Sequence, residues 1–375
     1  MFRQTHFIII HKNIKINNNF SFGKDNLRVL SQKMKNANKD DKKIIKFYVN
    51  LYFKGLLFII GGICMFFWGT SFFSKGVTDF FNAKKIFASS RPNKIGYYLL
   101  GAVSTALVQS SDATVILTMN MADEKLITTK DAVSVSFGAR LGTTITAIWA
   151  SIGELCVSPF VFAISFCSSL LLPEKYSKIK KLLFGIGLFF GGLIVLDFGS
   201  VYVQPLVRSL FQDNGNHFLL FLTGLSITAI LQSSSAVTSV LAIMTINNAM
   251  SVENAIFLLL GATVGTTVTP LLAGFKMGKD AKYIAKCHIV FSLISGLVAL
   301  PIVHFSSKTI LSVLALFPKE LSLASFGSVY GLLSSFLCLI LQSPLEKLYT
   351  LLCSAFKKIA PSLKIFSKRR KETQK

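Results

Sequence analysis

The chain has 375 residues, of which 52% are apolar and only 15% charged, with 34 Phe. That balance excludes an ordinary soluble domain and a disordered chain, and defines an integral membrane protein. A formal charge of +23 raises nucleic acid as a partner, but residues 1–50 carry 11 Lys/Arg against 3 Asp/Glu and residues 345–375 carry 9 against 2. Basic flanks beside spans mark the cytoplasmic side of a membrane with anionic lipids, so no nucleic acid is expected.

Residues 1–50 read as a basic, disordered cytoplasmic segment. Their one apolar patch, Phe7-Ile8-Ile9-Ile10, is too short for the core of a cleavable signal. Met34 precedes a basic pre-membrane stretch, so the first 33 residues read as a loose extension or an alternative start. Apolar runs then recur at about 52–74, 131–150, 156–173, 181–205, 217–246, 254–275, 283–305 and 322–342. Most approach the ~20 residues that cross ~30 Å of hydrocarbon. Helices satisfy their own backbone groups there, so the fold class is all-α.

The first span carries Gly55, Gly61, Gly62 and Gly69 at spacings that permit close helix contact. Residues 101–146 follow, and they align without a gap to residues 224–269. Gln109-Ser110-Ser111 matches Gln232-Ser233-Ser234, and Gly142-Thr143-Thr144 matches Gly265-Thr266-Thr267, all at one offset of 123 residues. The first span has its own counterpart, Leu57-Phe58 to Gly61 matching Leu183-Phe184 to Gly187 at an offset of 126. This is a duplicated unit. Repeat one is read as 51–173 and repeat two as 174–305; residues 306–345 supply the final span or spans, and 346–375 a basic cytoplasmic tail.

Each Gln-Ser-Ser segment interrupts an apolar run with polar side chains that are costly facing lipid. It is therefore expected as a re-entrant or broken helix, exposing N–H groups that attract anions and carbonyls that attract cations. Lys175, Lys178, Lys180 and Lys181 precede repeat two as a basic stretch precedes repeat one, which puts both starts on one side. Repeat logic instead expects two inverted repeats meeting at the bilayer midplane. A pocket of Ser, Thr and Gln suits Na⁺, which takes several oxygen ligands, and its hydroxyls can also donate to an oxyanion. Gln342-Ser343 has no Gly-Thr-Thr partner and is set aside as a chance match.

These residues carry a resemblance. The twin Gln-Ser-Ser segments, each followed by a Gly-Ala-x-x-Gly-Thr-Thr cluster, and the stretch through His288 to Phe291, look like the sodium-dependent phosphate cotransporter family over about residues 52–342. The resemblance implies a symporter of inorganic phosphate in the cell (inner) membrane, with sodium as coupling ion and no other cofactor. It assigns phosphate to Ser110, Ser111, Ser233 and Ser234, to which Arg140 would add an anion anchor. Sodium falls to Gln109, Gln232, Asp112, Ser235, Thr143, Thr144, Thr266 and Thr267. Bacterial relatives often add a PhoU-type domain after the membrane part, and none is expected here, because the sequence ends too soon for one. Departures from the family pattern stand at Asp112 (usually Ser), Arg140 and Thr263 (usually Asn) and Ser292 (commonly Asn). A buried carboxylate and guanidinium need neutralising, so Asp112 and Arg140 are expected to pair. The departures leave open another oxyanion, or a scaffold of the same fold that does not transport.

Other candidates are weaker. Asp197 lies near a span end and reads as an interface residue, and His288 and His304 read as span or boundary residues. The cysteines, including Cys64, Cys156, Cys167, Cys287, Cys338 and Cys353, are scattered and read as small core hydrophobes. No His, Cys or carboxylate cluster has transition-metal spacing. An intramembrane serine enzyme lacks both a Gly-x-Ser-x-Gly elbow and a His in register, so the chain is read as no enzyme.

Overall fold

The computed structural model describes residues 39–80, 92–152, 157–211, 216–344 and 346–347. The expected basic termini therefore lie largely outside the described residues, as do Cys156 and Cys353. Everything described is helix and connection, with no strand among these residues. Among the described residues five helices are long and apolar enough to cross a membrane: Val49–Val77, Glu174–Phe211, Val252–Gly274, Lys279–Phe305 and Lys319–Ile340. Outward-facing positions on the helices carry large apolar side chains such as Phe160, Ile164 and Trp68. Such an exterior suits a bilayer and not water.

Two long helices pack along each other, α1 (Lys39–Phe80) and α6 (Ser177–Phe211). Gly55, Gly62, Gly69 and Gly76 recur every seven residues on α1, and a methyl group on them would strike, in turn, Val203, Leu196, Phe189 and Leu182. Numbers rise on one helix as they fall on the other, so the pair is antiparallel. Gly185, Gly192 and Gly199 make the reciprocal seam on α6, against Phe73, Phe66 and Ile59. A seven-residue glycine repeat keeps two backbones in close contact along their length. Gly61, which the sequence also offered for contact, faces open space.

The remaining helices repeat one arrangement. In the first unit α2 (Lys94–Val108) leads into α3 (Ser111–Asp123) and α4 (Thr129–Ile152), and α5 (Ser158–Leu171) packs on α6. In the second, α7 (His217–Leu231) leads into α8 (Ser234–Ile246) and α9 (Val252–Gly265), then short α10 (Val268–Gly274) and α11 (Lys279–Phe305). Asn93 caps α2 as Asn216 caps α7. Thr128 caps the start of α4 as Ser251 caps α9, and Lys125 and Asn248 share a left-handed backbone at φ 59° and 53°. All three pairs are 123 residues apart, so the duplication reaches down to caps and turns. The Gly-x-x-x-Gly pairs set helix contacts inside each unit. A methyl at Gly138 would overlap the Tyr98 carbonyl and one at Gly261 the Phe221 carbonyl, drawing α4 onto α2 and α9 onto α7.

α12 (Ser307–Leu314) and α13 (Lys319–Ile340) close the bundle, α13 lying along α4. Gln342, set aside in the sequence, is buried just beyond α13. It accepts from the Ser134 hydroxyl at 3.1 Å and donates to the Lys130 carbonyl at 3.0 Å. It is a structural clamp between α13 and the start of α4. Asp197 also has a structural partner, accepting from Asn247 Nδ2 at 2.8 Å and so tying α6 to the end of α8. Cys64 and Cys167 face outward from apolar helices, whereas Cys287 and Cys338 are buried.

Candidate binding site

The two Gln-Ser-Ser segments break their helices in the same way. α2 ends on Gln109 in the left-handed conformation (φ 57°, ψ 24°), and α7 ends on Gln232 at φ 56°, ψ 27°. This conformation is disfavoured for any residue but glycine, costing about 1–2 kcal/mol, so its double use marks a shape held by surrounding packing. Ser110 and Ser233 follow in extended conformation and cap α3 and α8, their hydroxyls accepting from Ala113 N at 3.2 Å and Ala236 N at 3.3 Å. Each segment thus joins a helix C-terminus to a helix N-terminus through one tight turn. The next N–H groups, of Ser111 and Asp112 and of Ser234 and Ser235, have no acceptor within their own helices.

Both turns open on one cavity of about 360 Å³. This is the scale of a small-ligand site. The first unit lines it with Gln109, Ser110, Ser111, Asp112 and Thr143. The second supplies Gln232, Ser233, Ser234, Ser235 and Thr266. The starts of α3 and α8 both meet the cavity, and a helix N-terminus carries about half a positive charge that favours an anion. In the second unit the Ser233 and Ser235 hydroxyls lie 3.1 Å apart.

Three residues expected at the site do not line this cavity. The Thr144 hydroxyl donates to the Leu141 carbonyl, and its methyl faces Gly331 on α13. Thr267 is buried and donates to the Val264 carbonyl. Arg140 donates to the Ser292 hydroxyl on α11. The expected Asp112–Arg140 pair is not formed: Asp112 accepts from Thr266 Oγ1 at 3.4 Å instead. Two departures from the family pattern, at 140 and 292, therefore touch each other, the small serine admitting the long guanidinium.

The sequence reading missed the contribution of α1. Thr70, Ser71, Ser74 and Lys75 line the cavity with Phe67. Their spacing of one, three and one residues puts them on a single helical stripe, of which repeat two keeps only Asp197 and Ser200 at the offset of 126. His288 is buried on α11 and reaches no ligand-like cluster; among the described residues no group of His, Cys, Asp and Glu could hold a metal ion.

An all-helical bundle with an apolar exterior and a hydroxyl-lined cavity between two duplicated units is the architecture of a multi-pass membrane protein. The chain belongs to the Na⁺/Pi-cotransporter family, whose model matches residues 65–197 and 199–318. It is 28% identical over 303 residues to the Escherichia coli K12 protein named "Putative inorganic phosphate export protein YjbB", covering 78% of this chain and 54% of the relative. The protein of the same name from Salmonella typhimurium LT2 is 29% identical over 260 residues, 66% of this chain and 47% of that one. "Uncharacterized protein YqeW" of Bacillus subtilis 168 is 24% identical over 275 residues, 69% of this chain and 84% of the relative. The chain spans about half the length of the two enterobacterial relatives. No solved structure gives a significant match.

Proposed function

We propose that this chain is a secondary transporter that moves inorganic phosphate across the cytoplasmic membrane, coupled to sodium, through two inverted repeats whose broken helices meet near the bilayer midplane. One observation carries the reading: both Gln-Ser-Ser turns, 123 residues apart in sequence, open on the same cavity. The antiparallel course of α1 and α6, the equivalent first helices of the two units, supports the inversion. That geometry outweighs the basic residues before repeat two, because short loops break the charge rule often.

Chemically, the cavity offers donors from both sides. Serine hydroxyls and the first N–H groups of two helices surround a tetrahedral oxyanion without a wall of fixed positive charge. Such binding is weak enough to release its cargo, and sodium ions on nearby hydroxyl and amide oxygens offset the anion's charge. The name carried by the Escherichia coli and Salmonella relatives supports phosphate as substrate.

Labelled phosphate flux in proteoliposomes tests this. Flux is expected to rise several-fold when a sodium gradient replaces a choline gradient, and loading phosphate inside or outside gives the direction. Flux of sulfate in place of phosphate identifies another oxyanion. No flux of either anion means a scaffold of this fold and overturns the transporter reading.

A further inference from the structure

Both units begin their broken helix in the same way but hold its outer end differently. Asn93 caps α2 and Asn216 caps α7, so Lys94 and His217 are the first helical residues of the two arms, 123 positions apart. Each arm runs about 22 Å from that residue to its turn at the cavity. Lys94 donates to the Leu339 carbonyl in the last turn of α13. His217 instead meets His304 in the last turn of α11, Nδ1 to Nδ1 at 2.7 Å. The His217 ring lies flat on Phe257 of α9, with centroids 3.8 Å apart, and its Nε2 is 3.8 Å from Glu253 Oε1. Those two neighbours fix the plane of the ring and hence the direction of Nδ1.

A contact between two imidazole nitrogens depends on protons as a lysine–carbonyl contact does not, because lysine stays charged throughout the neutral range. A neutral pair supplies one N–H and one lone pair, so a hydrogen bond forms. One added proton still leaves a lone pair to accept. A second sets N–H against N–H between two cations, and the contact is lost. Among the described residues Glu253 is the one acid within 4 Å of the pair, enough to balance a single added charge. The other elements packed on α7 and on the end of α11 offer little more. α8 carries no charged residue. Lys308 on α12 adds positive charge, and at the start of α13 Glu320 stands beside Lys319, which donates to Asn248 at 3.1 Å.

We infer that the His217–His304 contact is a proton-sensitive pin on the outer end of α7, closed at neutral pH and released in acid, while the Lys94 contact holds α2 throughout. Release frees the start of the arm that carries Gln232 to the cavity, so acid loosens one arm of the site and not the other. This rests in one respect on the reading of the repeats as inverted: the two pins then lie on opposite faces of the membrane, and acid acts from one face only.

Hydrogen exchange read by mass spectrometry tests the pin on the purified protein in detergent. It is run at about pH 8 and about pH 5, either side of the ordinary histidine value of about 6.5, with rates corrected for the intrinsic effect of pH. In wild type the first half of α7 loses protection at least roughly tenfold in acid, while the start of α2 keeps its own. His304→Ala, at an exposed position, lacks that α7 protection at both pH values and responds to acid no further. Lys94→Ala exposes the start of α2 equally at both. Wild-type protection of α7 that is the same at the two pH values overturns the inference, as does a His304→Ala protein that keeps the wild-type response. The readout needs neither phosphate nor sodium, so its failure is separate from a failure of the transport reading.

Discussion

The two glutamines show how much local strain this site uses. Gln109 and Gln232 adopt backbone angles that glycine would take at no cost, yet both positions hold a long amide. Gln109 bends back to donate to the Ala106 carbonyl at 2.6 Å, closing the helix end with its own side chain. Gln232→Gly is therefore expected to leave thermal stability unchanged or raised by about 1 kcal/mol, while phosphate flux falls at least roughly tenfold because the cavity loses an amide. Unchanged flux would show the amide to be dispensable. At this scale the sequence was partly legible. The Gln-Ser-Ser residues, which line the cavity, stood out because they recur in register. Thr143 and Thr144 were not separable, since adjacent residues on a helix point about 100° apart and sequence does not set which one faces the cavity. Thr143 faces it, and Thr144 packs toward α13. Arg140 misled for a related reason: its charge suited an anion, but only α11 reveals Ser292 as its partner.

Among the helices, glycine sets the distances on which the site depends. The Gly138 and Gly142 face brings α4 onto α2, and Gly142 meets Thr105, four residues before the turn at Gln109. Gly138→Ala forces a methyl into the Tyr98 carbonyl, and is expected to cost about 1–3 kcal/mol and to lower the detergent melting temperature. Gly61→Ala meets nothing within 4 Å and replaces a poor helix former, so it should be neutral or stabilising by up to about 1 kcal/mol. Equal losses in the two variants would mean that helix propensity, not contact, governs these glycines. The sequence displayed the glycines but not their sorting. Gly62 and Gly61 are neighbours, and only the seven-residue repeat through Gly55, Gly69 and Gly76 separates the one in contact from the one outside it. The polar stripe of Thr70, Ser71, Ser74 and Lys75 was legible in principle, but repeat two matches only Ser71 and Ser74 with polar residues, so it looked like ordinary variation in a span.

Viewed whole, the molecule is a pair of related units joined by an antiparallel helix pair, with the final helices packed against them. The duplication was the most legible feature, because an offset repeated over many positions survives ignorance of every angle. Its sense in the membrane was not legible, since the lysines before repeat two pointed the opposite way. Lys125 and Asn248 occupy equivalent left-handed turns and both reach solvent-facing surface. In a cysteine-free background, Lys125→Cys and Asn248→Cys should react with a membrane-impermeant maleimide from opposite sides of a sealed vesicle. Labelling from the same side would contradict inversion.

The claim beneath all of this is that one small anion is held jointly by both repeats. Its sharpest check is sodium-driven phosphate flux in proteoliposomes bearing Ser111→Ala or Ser234→Ala, one variant at a time. Each single change is expected to remove flux while the protein stays folded, as judged by its unchanged elution and melting profile. If either variant, correctly folded, carries phosphate at the wild-type rate, the two turns do not share a substrate and the account is wrong.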